Sequence, residues 1–217
     1  MKKTDPQLYL LAKASRLGLG YGCGAAKFQK VAQKLTGLAL TSEPAREAVK
    51  NFRDNNPGVV ALWHELHTEL DKWVGDTKVI QLPSGRTLQY PNILRDTLET
   101  IVLKRDKTVR KNSDGTPMVS VKLSYTAEIG GVRKHFYGGK MCENLVQATA
   151  RDVFAEGMLR LWDAGILVPM HVHDEVIAEV PADFPKEEVE KLLTVCPKWI
   201  PGLPVAVEAT ETERYFK

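Results

Sequence analysis

The sequence predicts an α+β fold, a helical segment followed by a mixed segment of hairpins and helices. Up to Gly75, apolar residues recur at helical spacing between recognisable caps and breakers. After it, short alternating runs are separated by Gly, Pro and Asp turns. The two textures follow one another instead of alternating, which argues against a parallel sheet of βαβ units. At 217 residues, 43% apolar and 26% charged, the chain can bury a real core and does not have the composition of a disordered protein.

The elements can be justified in order. Asp5 and Pro6 are a cap and a first-turn proline, so a helix runs through LYLLAKASRLGL and breaks in the cluster Gly18, Gly20, Gly22, Gly24. AAKFQKVAQKL is a second helix stopped by Gly37, and Thr41-Ser42-Glu43 open a third that ends at Asn55-Asn56-Pro57-Gly58. VVALWHELHTELDKWV continues as an amphipathic helix. KVIQL and RTLQY flank the turn Pro83-Ser84-Gly85, while MVSVKLSYTAEI and VRKHFY flank Gly130-Gly131. Residues 140–164 have the spacing of a long helix. ILVPMHV and VIAEV form a hairpin over 166–180, hinged at His173-Asp174-Glu175. DFPKEEVEKLLTV reads as a short helix and PVAVEATETERY as a last strand. The join between the textures predicts subdomains at 1–75 and 76–217, packed together.

The net charge of +3 conceals a partition. Residues 1–140 carry net +10 and residues 141–217 net −7, an asymmetry expected of a surface facing nucleic acid. Three widely spaced cysteines without a CxxC pair argue against a disulfide scaffold or a structural zinc site. No uncharged apolar run is long enough to span a bilayer. Two lysines before an apolar patch imitate a secretory signal, but Lys13 and Arg16 interrupt the patch and no small-residue cleavage site follows. A cytoplasmic chain is therefore expected.

Three local features carry chemistry. In MHVHDEVIAEV, adjacent acids Asp174 and Glu175 fall at a turn, where charge escapes burial. A solvated acidic turn and a ligand pair for Mg²⁺ or Mn²⁺ both fit, and His171 with His173 adds an HxH zinc or iron reading. In KASRLGLGYGCGA, the string from Gly20 to Ala25 matches G-x-G-x-x-G/A, but a capped helix precedes it where a dinucleotide fold needs a strand. Lys13, Leu17 and Tyr21 lie at i, i+4 and i+8, either as a core stripe with a snorkelling lysine or as a face offering cation and ring to a nucleotide. In GGKMCENLVQATARD, Lys140, Asn144, Gln147 and Arg151 form a polar helix stripe, either solvated or suited to base and sugar edges. The basic run from Lys104 and Arg105 to Lys111 is either a mobile surface loop or a phosphate-backbone contact.

Taken in order, Lys13 with Tyr21-Gly22, then ENLVQATARD, then VHDEV, resembles the C-terminal part of family A DNA polymerases, the DNA polymerase I type, in its phage and prophage form. The resemblance covers essentially the whole chain. It implies helical fingers over 1–75 and a palm over 76–217, an incomplete right-hand fold with its catalytic hairpin at 166–180. It makes Lys13 the lysine that grips the incoming triphosphate, and Tyr21 the tyrosine beside the templating base. Leu17 and Arg16 complete that nucleotide-binding group. Gln147 becomes a primer-template contact, with Asn144, Lys140, Arg151, Lys104 and Arg105 as further DNA-binding residues. His173 would lie beside the primer terminus, and Asp174 and Glu175 would bind the catalytic Mg²⁺ ions, with Mn²⁺ as a substitute. The function implied is template-directed nucleotidyl transfer from dNTPs in the cytoplasm of a bacterial host, by a phage- or prophage-encoded DNA-directed DNA polymerase.

Departures from the pattern matter as much. Tyr9 stands where the family usually has an arginine, a role Arg16 would have to assume, and Leu17 replaces an aromatic residue. The alignment can slip by one residue at Glu143 and Asn144. The first catalytic motif, an Asp-bearing strand before the fingers, is not in this sequence, nor is a thumb. The chain alone is therefore expected to be inactive and to work with a second polypeptide, with self-association through an exposed sheet edge as a substitute. The competing expectations are a non-catalytic module binding primer-template DNA or a replication partner, and a metal-dependent nuclease using His171, His173 and Asp174.

Overall fold

The structure, a computed structural model, describes residues 5–104 and 108–215. The helices are α1 (Pro6–Gly18), α2 (Ala25–Thr36), α3 (Ser42–Asn55), α4 (Pro57–Lys72), α5 (Gly138–Asp163) and α6 (Lys186–Leu193). The strands are β1 (Lys78–Gln81), β2 (Thr87–Tyr90), β3 (Leu94–Ile101), β4 (Val119–Ile129), β5 (Val132–Phe136), β6 (Leu167–Val172) and β7 (Glu175–Glu179). They pair as β1-β2, β3-β4-β5 and β6-β7. The fold is thus α+β. Compact units divide it into residues 1–80 with 89–144, and 81–88 with 145–217.

In the first unit, helix boundaries follow local chemistry. Asp5 Oδ1 accepts the Leu8 N–H at 2.9 Å, and Pro6 opens α1 without losing a helical hydrogen bond. Helix α1 gives way at Gly18 to a 3₁₀ turn, Leu19–Tyr21, which ends at Gly22 with φ 69°. Small residues let the helices approach. Ala14, Ala32 and Ala45 are fully buried beside Leu19, Phe28 and Val49. A Cβ on Gly18 would lie 2.7 Å from Val31 Cγ1. Burying Phe28 alone contributes roughly 2–3 kcal/mol. Phe52 of α3 stacks on Trp63 of α4 with ring centroids 6.2 Å apart.

The three-stranded sheet belongs to the same unit. Tyr125 of β4 is buried, opposite Arg95 of β3 and Phe136 of β5. A hydrogen bond from Tyr125, then the Arg95 guanidinium 3.2 Å away, hold the Asp71 carboxyl of α4 below the usual range. Strand β3 has no clear sequence signature, because Arg95, Asp96 and Glu99 break its apolar alternation. The described residues on either side of 105–107 in the basic run are held by backbone bridges. Isolated antiparallel bridges Leu103↔Val109 and Lys111↔Pro117 lie between β3 and β4 in sequence, and Asp114 Oδ1 caps a turn there by accepting the Thr116 N–H at 2.9 Å. Arg105 lies outside the described residues.

In the second unit, Leu82, Leu161, Ile166 and Pro197 are the buried apolar side chains among the described residues. Polar ties supplement this small core. Arg160 donates to the carbonyls of Leu192 and Val195 at 2.9 and 3.0 Å, and Trp199 Nε1 donates to Glu156 at 2.7 Å. The strand expected at 204–215 does not form. An extended segment becomes a strand only by pairing its backbone, and here the Ala209 N–H goes instead to the Glu190 carboxylate at 2.7 Å.

Candidate functional site

The structure groups the sequence-predicted residues by unit. In the first unit, Leu17 and Tyr21 line an open cleft of about 320 Å³ with Lys27, Lys34 and Tyr137. Tyr21 does not continue the helical stripe of Lys13 and Leu17, because the 3₁₀ turn rewinds the backbone between them. Leu17 is half exposed, so the stripe is not core. Lys13 and Arg16 are exposed on α1 and do not line the cleft. Burial, followed by the carboxylate of Glu143 and the ionisable hydroxyl of Tyr137, pushes the Tyr21 hydroxyl above its ordinary pKa. It remains a neutral donor at physiological pH. An aromatic wall with lysines at its rim is chemically matched to a base carrying phosphate.

The N-terminus of α5 is fitted to this region by two missing side chains. A Cβ on Gly138 would lie 1.8 Å from the Trp63 carbonyl oxygen, and one on Gly139 would lie 2.4 Å from that of Tyr21. Backbone meets backbone there, which no larger residue permits. Lys140 and Asn144 follow, and both are engaged. Lys140 Nζ donates to the His135 carbonyl at 2.7 Å and lies over the Phe136 ring. Burial, then the charges of Lys134 and Lys27, lower its pKa. Asn144 Nδ2 donates to the Tyr90 hydroxyl at 3.1 Å. Tyr90 had no signal in the sequence, since a strand tyrosine reads as core. Lys104 is exposed beside the Leu103↔Val109 bridge, where its N–H donates to the Thr108 carbonyl at 2.7 Å.

In the second unit, β6 and β7 pair antiparallel with Val172 opposite Glu175. The turn is therefore His173-Asp174, and Glu175 is the first residue of β7. His173 has φ 56°, a left-handed conformation that a non-glycine residue adopts at a cost. His173, Asp174 and Glu175 are all exposed. The flanking strands are less buried than their sequence implies, and Leu167 and Met170 are about half exposed.

Polar contacts hold this hairpin. Glu175 Oε2 accepts the Tyr215 hydroxyl at 3.2 Å. His171 meets the Phe154 ring edge-on at 5.7 Å, and its Nε2 lies 3.4 Å from Arg151 Nη2. Arg151 and Gln147 are exposed on successive turns of α5. An amide and a guanidinium thus share a helix face that leads, through His171, to the acidic turn. The paired-histidine site is not formed. His171 faces α5 from the strand, whereas His173 occupies the turn, and among the described residues no three His, Cys, Asp or Glu side chains converge. Two adjacent exposed carboxylates do fit a hard divalent cation, as part of a ligand set completed by other oxygens.

No protein-family model matches the chain. The chain is 32% identical, over 212 residues, to a protein named DNA polymerase from Bacillus phage SP02. The match covers 94% of this chain and 32% of that protein, so the chain spans about a third of its relative's length. The chain is similar to a phage DNA polymerase throughout nearly its whole extent. Among the described residues, no helix is long and apolar enough to cross a membrane.

Proposed function

We propose that this chain supplies the fingers and palm of a family A DNA polymerase, with the fingers over 1–75 and the palm over 76–217. The supporting observation is the similarity to a phage DNA polymerase over 212 residues, which takes in the exposed acidic turn. Lys13, seconded by Arg16, would take the triphosphate of the incoming dNTP, while Leu17 and Tyr21 present a wall to the base pair. Gln147 and Arg151 would contact primer-template DNA, and Lys104 and Arg105 its backbone. His173 would stand at the primer terminus.

Asp174 and Glu175 would hold Mg²⁺. Two-ion chemistry of this kind stabilises both the attacking and the leaving oxygens of an in-line displacement. Phosphoryl transfer is governed by positioning and charge stabilisation, which suits a site built from an acidic turn and basic helix faces. Further carboxylates would come from outside these 217 residues, supplied by a second polypeptide. The test is primer extension with Mg²⁺ and four dNTPs, by this chain alone and mixed with the candidate second polypeptide. Synthesis only in the mixture is expected. Robust synthesis by this chain alone would refute the need for further ligands, and no synthesis in either would refute the polymerase reading.

A further inference from the structure

One tight polar cluster in the second unit has no role in the site so far. The turn between β1 and β2 reads only as punctuation in the sequence, yet it is clamped to α5. Ser84 Oγ donates to Asp152 Oδ2 at 2.5 Å, and Arg86 Nε donates to Asp152 Oδ1 at 2.6 Å. Arg86 Nη2 donates to the Ala148 carbonyl at 3.0 Å. Both carboxylate oxygens of Asp152 are thus used on a turn 66–68 residues away in sequence.

The exposures separate the two partners. The Asp152 side chain is 11% exposed, whereas that of Arg86 is 47% exposed. A guanidinium has five N–H donors in a fixed fork, and the recorded bonds use two. The Arg86 side chain as a whole stays about half exposed. Ala148 and Asp152, which hold Arg86, each follow by one residue Gln147 and Arg151, so Arg86 is anchored on the stripe of α5 next to theirs. Arg86, Gln147 and Arg151 are all exposed on these neighbouring stripes, and Arg151 reaches His171, two residues before the His173-Asp174 turn. Because its Arg86 end is about half exposed and screened by solvent, the ion pair is worth little as a brace, on the order of 0–1 kcal/mol. A fixed, planar, half-free guanidinium is well suited to a phosphate diester.

We infer that Arg86 is a further phosphate contact of this face, and that Asp152 is the positioning residue that aims it. The inference rests on the DNA reading above and extends its track one turn away from the carboxylates. The test is anisotropy of a labelled primer-template duplex bound by the full chain, titrated between about 50 and 200 mM salt. Arg86→Met should weaken binding about tenfold at the low end and make the log–log salt slope shallower by about one, as loss of a single phosphate contact requires. Arg86→Lys should keep most of the slope. Asp152→Asn should weaken binding less, and the double variant should be no weaker than Arg86→Met. A purely structural pair would shift the melting temperature and leave the salt slope unchanged, and that result overturns the inference. If Asp152→Asn unfolds the second unit, Arg86→Met decides alone. Wild-type chain that binds no duplex would instead defeat the DNA reading, and this inference with it.

Discussion

The cleft beside α1 and the acidic turn between β6 and β7 are built on opposite terms. The cleft borders a region where backbone meets backbone. Gly138 and Gly139 have no room for a Cβ, Gly22 turns with positive φ against the Trp63 ring, and Ala14 and Ala32 are fully buried behind it. The turn stands on a thin core and is held by polar contacts from Arg151, His171 and Tyr215, with half-exposed Leu167 and Met170 on its strands. Shape specifies the first region and charge the second. Volume changes should therefore damage the cleft, and charge changes the turn.

Beside the cleft, though not in its lining, a kinetic effect is expected at Lys13. Removing a charge-assisted contact to a triphosphate costs roughly 1.5–3 kcal/mol, so Lys13→Ala should raise the KM for dNTPs about ten- to a hundredfold in steady-state assays with the second polypeptide. Its melting temperature should stay that of wild type, because Lys13 is exposed. A change in stability without a change in KM would place it among the structural residues. Gly139→Ala is the converse. Its Cβ would meet the Tyr21 carbonyl, and a loss of about 1–3 kcal/mol is expected in denaturant unfolding.

The turn should respond in the other direction. His173→Gly removes a positive-φ penalty and should gain up to about 1 kcal/mol in stability, while lowering primer extension if the imidazole works at the primer end. Stability and activity rising together would break the contrast. The smallest effect concerns Lys140. Its pKa is lowered by burial and by Lys134 and Lys27, so the unfolded chain binds more protons near the ordinary lysine value of 10.5. Stability attributable to Lys140 must then rise with pH from its folded pKa up to that value. The difference in melting temperature between wild type and Lys140→Met should narrow or reverse over that alkaline window. A pH-independent difference would remove the burial argument.

The sequence announced those parts whose cause is local. Asp5-Pro6, Gly37 and Asn56-Pro57 bound their helices as expected, because caps and prolines act within one turn. The acidic hairpin was equally plain. What depended on distant partners was not. Strand β3 is charged and is a strand because β4 pairs with it from Val119 to Thr126. Residues 204–215 carry a strand's alternation yet have no ladder partner among the described residues. Tyr21 left its stripe through a 3₁₀ turn that the glycine cluster permits and does not encode by periodicity. Among the site residues, Lys140 and Asn144 looked alike on a helical wheel with Gln147 and Arg151. Only the fold shows Lys140 and Asn144 engaged with His135 and Tyr90, and Arg151 with His171, while Gln147 is exposed. Nor does any local rule join Arg86 to Asp152.

On the function proposed above, the acidic turn would hold cations for nucleotidyl transfer and would not shape the fold. This is tested most directly by Asp174→Ala in primer extension with the second polypeptide, measured beside duplex affinity and melting temperature. Asp174 is exposed, so the fold and duplex binding should be unchanged while incorporation falls roughly a thousandfold or more, the scale set by removing a group that stabilises transition-state charge. Retained incorporation by Asp174→Ala would contradict the account.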